Sequence, residues 1–164
     1  MSQDFVPGLR YQSPAQELWA LLIESYAGWE ERLTETAAAI GLSPVSAWAL
    51  VQLDPDHPIS QKELAGRLRC NPSTVVDPTD RLEEGGLVVR QANPADRRVN
   101  TLVVTLKGKA ARDEVIRRLF DPPEAFQRLE AREQTRFRDV MLATVAGAQP
   151  STPVRQTPKA ALSE

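Results

Sequence analysis

Residues 60–108 read SQKELAGRLRCNPSTVVDPTDRLEEGGLVVRQANPADRRVNTLVVTLKG, and the fold turns on a change of hydrophobic period inside this stretch. Ser60-Gln61-Lys62-Glu63 has the spacing of a capping box, with Ile59 and Leu64 placed as its hydrophobic staple, so a short helix begins here with Leu64, Ala65 and Leu68 inward. Asn71-Pro72 predicts a second helix running to Gly85-Gly86, with Val75, Thr79 and Leu82 on its inner side. Beyond the glycines the period drops to two. Leu87–Arg90 is predicted as a strand, Asn93-Pro94-Ala95-Asp96 as a turn, and Val99 to Leu106 as a second strand with Leu102, Val104 and Leu106 on one face. The result is two short helices followed by a β-hairpin.

Longer helices flank this block. Ser13-Pro14-Ala15-Gln16 offers a hydroxyl cap, proline at the first helical position and glutamine at the capping-box position. Leu18, Leu22, Tyr26, Trp29, Leu33, Ala37 and Ile40 then draw one apolar stripe to a stop at Gly41. A helix this long overhangs a small core and is expected to pack against a partner chain or several other helices. Ser43-Pro44 starts another helix, with Val45, Trp48, Ala49 and Leu53 inward, ending at Asp54-Pro55. After the hairpin, Thr105 caps a helix through Ala111, Val115 and Leu119 to the break at Asp121-Pro122-Pro123. A last helix over Glu130 to Ala146 aligns Phe137, Val140, Met141 and Thr144.

Composition narrows the function classes. With one cysteine and one histidine, the 164-residue chain cannot assemble a closed Cys/His zinc site, and no metal or cofactor is expected. A nucleophilic triad would have to use His57, which lies in the loop Asp54-Pro55-Asp56-His57-Pro58, and no acid/base pair or partnered nucleophile is visible, so an enzyme is not expected. No apolar run approaches a membrane span and residues 1–10 lack a secretory signal, which makes the cytoplasm the expected compartment. The net charge of −2 argues against a polybasic, non-specific nucleic-acid binder. Its distribution is uneven: residues 60–109 carry nine basic against six acidic side chains.

The order helix, helix, capped short helix, helix, strand, turn with Asp96-Arg97-Arg98, strand, helix, helix resembles the MarR family of winged helix-turn-helix regulators. The resemblance rests on Ser60–Ala65, on Arg81–Val88 (Arg-Leu-Glu-Glu-Gly-Gly-Leu-Val), on Asp96-Arg97-Arg98 and on Leu102–Gly108, and it spans about residues 13–147. It implies a mostly α fold with a small β-wing, in which a winged helix over 43–106 sits between dimerisation helices over 13–41 and 106–147. Residues 1–12 form an N-terminal arm, and 148–164, rich in Pro, Ser and Thr, form a tail expected to be disordered. Family members are homodimers, often repressors released by small phenolic ligands or by oxidation, so double-stranded DNA, a second copy and a small aromatic effector are the implied partners.

Physical roles can be assigned to particular residues. At the start of the second short helix, Ser73 and Thr74 are placed to bind a backbone phosphate. Val76, Asp77, Asp80 and Arg81 take outward positions that would face the major groove. Arg97 and Arg98 suit phosphates or a narrow minor groove, Asp96 can orient an arginine, and Lys62, Arg67 and Arg69 add positive charge beside the reader. Two features oppose simple reading of DNA. The helix carries Asp77, Asp80, Glu83 and Glu84 against Arg81, and Pro78 stands in its middle, where it either kinks the helix or restarts it with Asp77 as cap. The alternative function is therefore a winged-helix protein-interaction module that has lost sequence-specific DNA binding. Cys70, beside the reader, fits either a redox switch or simple packing, and Trp19, Trp29 and Trp48 fit either core packing or a ligand pocket whose residues the sequence leaves unassigned.

Overall fold

The computed structural model describes residues 8–93 and 99–147, which fall into two compact units divided after Asp121. The arm before Gly8, the hairpin tip 94–98 and the tail 148–164 lie outside the described residues.

Capping chemistry sets the helix starts of the first unit. α1 (Pro14–Ala39) begins where Ser13 Oγ accepts from the Gln16 amide at 3.3 Å. The Gln16 side chain does not close the expected box on Ser13; its Oε1 takes the Gln12 amide at 2.6 Å. α2 (Pro44–Gln52) starts on Ser43 in the same way, with Ser46 N donating at 3.1 Å. α3 (Gln61–Arg67) carries the full capping box, Glu63 N donating to Ser60 Oγ at 3.2 Å and Ser60 N to Glu63 Oε2 at 2.7 Å. α5 (Leu106–Leu119) is capped by Thr105, whose hydroxyl accepts from Gly108 N at 2.9 Å.

The segment after Asn71 departs from the expected single helix. Residues Pro72–Val75 form a 3-10 turn, Asn71 makes no side-chain cap, and the α-helix α4 (Val76–Glu84) begins only afterwards. Pro78 therefore sits at the third helical position with Val75 as N-cap, two residues deeper than a restart on Asp77 would put it. In a first turn the missing N–H deprives the helix of nothing, so proline is tolerated there. The ring is buried, beside a fully buried Thr79 whose hydroxyl donates to Val75 O.

Three helix ends share one device, a residue in the left-handed region with paired back-bonds to the last turn. Gly41 (φ 71) ends α1, with Leu42 N donating to Ala37 O at 2.9 Å. Gly86 (φ 68) ends α4, with Leu87 N donating to Leu82 O at 2.9 Å. Between α3 and the 3-10 turn the same position is held by Arg69 (φ 53), with Cys70 N donating to Ala65 O at 3.0 Å.

The sheet has three strands rather than the two expected, in the order β1-β3-β2. β2 (Val88–Ala92) and β3 (Asn100–Val104) pair antiparallel from Val88↔Val104 to Ala92↔Asn100, and β1 (Ile59–Ser60) adds to the other edge of β3 through Ile59↔Leu102. β3 stops at Val104, so Leu106 is not a third inward strand residue. It is the first residue of α5 and is 90% exposed. Asn93 N donates to Val99 O at 2.8 Å, pinning the two ends of the hairpin loop.

Two clusters fill the unit. One gathers Ala49, Leu50, Leu53, Ile59, Leu64, Leu82, Leu87, Val88, Leu102 and Val104 beneath the sheet and α4, and the other joins Leu33, Ala37, Ala47, Val115 and Leu119 between α1, α2 and α5. The apolar stripe of α1 is only partly used: Leu33 and Ala37 are buried, whereas Leu18 and Tyr26 are exposed, as are Trp19, Leu21 and Ile23 beside it. In the second unit, α6 (Glu124–Gln127), a turn with no sequence signal, precedes α7 (Ala131–Gly147), and Phe126 meets Phe137 edge-on at 6.0 Å. Phe137, Val140, Leu142 and Val145 remain exposed on α7. No helix among the described residues is long and apolar enough to cross a membrane.

The end of α4 and the start of α5 meet in one knot. Thr105 N donates to Leu87 O at 3.0 Å, Thr105 Oγ1 to Gly86 O at 2.7 Å, and Lys107 Nζ to Gly85 O at 2.7 Å. A side chain at Gly108 has no room there: its Cβ would overlap the Leu87 carbonyl and lie 3.0 Å from Val104 Cγ1. Replacing Gly108 with Ala is expected to cost more than about 3 kcal/mol in urea unfolding, because the obstacle is backbone. A loss below about 1 kcal/mol would show that the knot yields easily.

Candidate nucleic-acid interface

Helix α3, the turn through Arg69 and Cys70, and the 3-10 turn leading into α4 form a helix-turn-helix, with β2 and β3 projecting beside it as a wing. Burial of Val75, Pro78, Thr79 and Leu82 fixes which side of this element faces the core. Ser73, Thr74, Val76, Asp77 and Arg81 then stand exposed on the opposite side, and Lys62 is exposed on the first turn of α3. These six sequence-selected residues thus lie on the outer surface of the helix-turn-helix. Asp96, Arg97 and Arg98 lie outside the described residues, between the pinned loop ends Asn93 and Val99.

Asp80, expected to point outward with its neighbours, is half-buried and turned toward the wing. Arg90 of β2 donates to Asp80 Oδ1 at 2.5 Å and pairs with Glu83 through a second guanidinium nitrogen, while its backbone N–H reaches Glu83 Oε1 at 3.1 Å. Partial burial pulls the Arg90 pKa down, but the hydrogen bonds it donates to Asp80 and Glu83 outweigh it and leave the value above the ordinary one. Arg90 is the residue that sequence reasoning missed. It was counted only as a basic residue, and its partners lie seven and ten positions away on a different element.

Asp77 and Arg81 pair at 2.9 Å across one helical turn, and the hydrogen bond to Asp77 raises the Arg81 pKa, helped by the charges of Asp77 and Glu84. Both side chains are exposed, so solvent screening leaves the pair weak and easily exchanged. Three of the four carboxylates that make α4 acidic are thus held by arginines. Other cations serve helix ends: Arg67 Nη1 donates to Gln52 O at 2.7 Å at the end of α2, as Lys107 does for α4. Lys62, Arg69 and Lys109 form no ion pair or side-chain hydrogen bond among the described residues.

A groove of about 590 Å³ lies between α1, α2, the end of α3 with Cys70, and the last residues of the 3-10 turn. Tyr26 and Trp29 stack at 5.7 Å, and Trp29 meets Trp48 edge-on at 5.1 Å. Val45, expected to point inward, lines the groove and is exposed, Cys70 forms part of its wall, and Thr74 and Val75 of the reader close one end. Trp19 is exposed elsewhere on α1. His57 lies in its loop with Nδ1 2.9 Å from Asp54 Oδ2, a contact that closes the turn between α2 and β1.

Residues 42–99 match the MarR family. The HTH-type transcriptional repressor MdtR of Bacillus subtilis is 31% identical over 87 residues, a match spanning 53% of this chain and 56% of that protein. The fold is similar to a MarR family protein from Bacillus stearothermophilus at a TM-score of 0.72 with 24% identity, covering 85% of this chain and 98% of that one. It is also similar to the repressor CouR bound to a 23-mer DNA duplex, at a TM-score of 0.64 with 28% identity, covering 84% and 98%. Motifs, architecture and these likenesses agree on a winged helix similar to those of the MarR family.

Proposed function

We propose that this protein is a DNA-binding transcriptional regulator, a repressor that holds a pseudo-palindromic operator as a homodimer and answers to a small aromatic effector. The observation that carries the reading is the outward display of Ser73, Thr74, Val76, Asp77 and Arg81 on an element whose inner side is locked into the core. Ser73 and Thr74 then meet a phosphate, Val76 meets a thymine methyl, and Arg81 exchanges Asp77 for guanine. Asp96, Arg97 and Arg98 at the wing tip address phosphates or the minor groove, and Lys62 adds a backbone contact. CouR, which shares the fold, is a DNA-bound repressor and also binds p-coumaroyl-CoA.

Dimerisation follows from surface left uncovered. The exposed apolar side chains of α1 and α7 are the kind of surface that a second copy buries. A dimer would set two readers about one DNA turn, roughly 34 Å, apart. An effector in the aromatic groove would touch Thr74 and Val75, and would act by favouring one reader spacing over another.

Titrating the protein against its own upstream DNA and against scrambled DNA at several salt concentrations tests the reading. Tight, salt-sensitive binding with a clear preference for the upstream duplex is expected, and Ala at both Arg97 and Arg98 should weaken it and flatten the salt slope. Equal affinity for both duplexes, or none at low salt, would instead favour a protein-interaction module.

Arg69 gives a test in which stability and binding move in opposite directions. An L-residue in the left-handed region is strained, so Arg69→Gly should stabilise the fold by about 0.5–1 kcal/mol. The same variant should lose affinity for DNA and about one unit of salt slope if the arginine is there for a phosphate. Stabilisation with unchanged binding would remove Arg69 from the interface.

Arg90 is read as the group that masks the acidity of the reader. Arg90→Met should weaken operator binding at least about tenfold by freeing two carboxylates, and adding Asp80→Asn with Glu83→Gln should recover most of it. A triple variant as weak as Arg90→Met alone would make the trio a brace and not a charge mask.

A further inference from the structure

We propose that the aromatic groove binds lipophilic aromatic cations, an assignment that rests on the effector reading and adds the sign of the charge. Its walls are three aromatic side chains, Tyr26 stacked on Trp29 at 5.7 Å and Trp48 standing at 85° to Trp29. A ring face carries the negative side of the aromatic quadrupole and attracts a cation, so a groove lined by three aromatic rings suits a positive ligand wherever a face opens to it. Among the described residues, Glu30 is the one charged side chain in the lining, and no lysine, arginine or histidine joins it.

The environment of Glu30 supports the same sign. Its backbone carbonyl accepts from Thr34 Oγ1 at 3.0 Å, but its carboxylate forms no ion pair or hydrogen bond among the described residues, unlike the arginine-held carboxylates of α4. An anionic ligand would meet that carboxylate with no cation among the described lining residues to compensate. A cationic ligand replaces water at Glu30 while its rings cover Val45 and the tryptophans. The volume of about 590 Å³ suits a ligand of several rings. Because Thr74 borders the same groove, occupancy reaches the first turn of the reader.

Tetraphenylphosphonium and tetraphenylborate have the same shape and opposite charge, and so isolate the sign. In a Trp19→Phe background, tryptophan fluorescence reports Trp29 and Trp48 in the groove. The phosphonium should quench saturably and bind at least about tenfold more tightly than the borate. Glu30→Gln should shrink that preference to within about threefold and Glu30→Lys should reverse it, while Trp48→Leu should weaken the cation. Equal or tighter binding of the borate to the unmodified groove overturns the assignment, as does a preference that survives Glu30→Gln. No saturable quenching by either ion overturns the groove as their site. DNA binding measured without ligand keeps the two readings apart: a protein that holds its operator but takes up neither ion loses this inference alone.

Discussion

The carbonyl of Leu87 is the point on which the winged helix is hung. It accepts from the amide of Thr105 at 3.0 Å, while the Thr105 hydroxyl reaches Gly86 O and the Lys107 ammonium caps Gly85 O. The reader helix ends here, the wing begins here, and α5 departs from the same spot with Gly108 pressed against the Leu87 backbone. Two of these bonds come from the backbone and short side chain of Thr105, so the joint has little freedom to tilt. Leu82, Leu87 and Val88 are buried beside it, while the Thr105 hydroxyl and Lys107 bonds lie at the exposed rim. The direction of the reader is therefore set by its C-terminal end, leaving the N-terminal turn exposed.

That division explains how an acidic, proline-containing helix can occupy the reading position. Pro78 falls in the first turn, where its missing N–H is harmless, and its ring goes into the core. Arg90 reaches across from the wing to Asp80 and Glu83, joining the two elements and neutralising charge that would oppose a phosphate. The more weakly held Asp77–Arg81 pair sits on the outer face, open to solvent, where under the proposed function a base edge would replace one partner. Strong pairs serve the scaffold and weak ones the surface.

The sequence made legible whatever depends on neighbouring residues. Ser13, Ser43, Ser60 and Thr105 cap the helices they were expected to cap, and Gly41 and Gly86 end theirs. The outward set from Ser73 to Arg81 followed from helical period, except Asp80, whose partner on β2 has no local signature. A two-residue strand has no pattern to find, so β1 appeared only through its pairing with β3. Asn71-Pro72 looked like a helix cap, yet burial of Val75 and Pro78 draws the chain through a 3-10 turn first. Leu106 continued the alternation of β3 by identity alone, because Thr105 had already turned the chain into a helix. Of the three tryptophans offered as core or pocket residues, Trp29 and Trp48 line the groove, but Tyr26, Glu30 and the turn around Cys70 join them from separate segments and carried no local signal.

Amide hydrogen exchange on the protein with and without its upstream duplex, at moderate salt, tests the central claim most directly. The account expects new protection to concentrate at residues 71–81 and at the first turn of α3, with the Leu87–Thr105 joint already slow to exchange in the free protein. Protection that leaves 71–81 unchanged, or that appears equally with scrambled DNA, would contradict it.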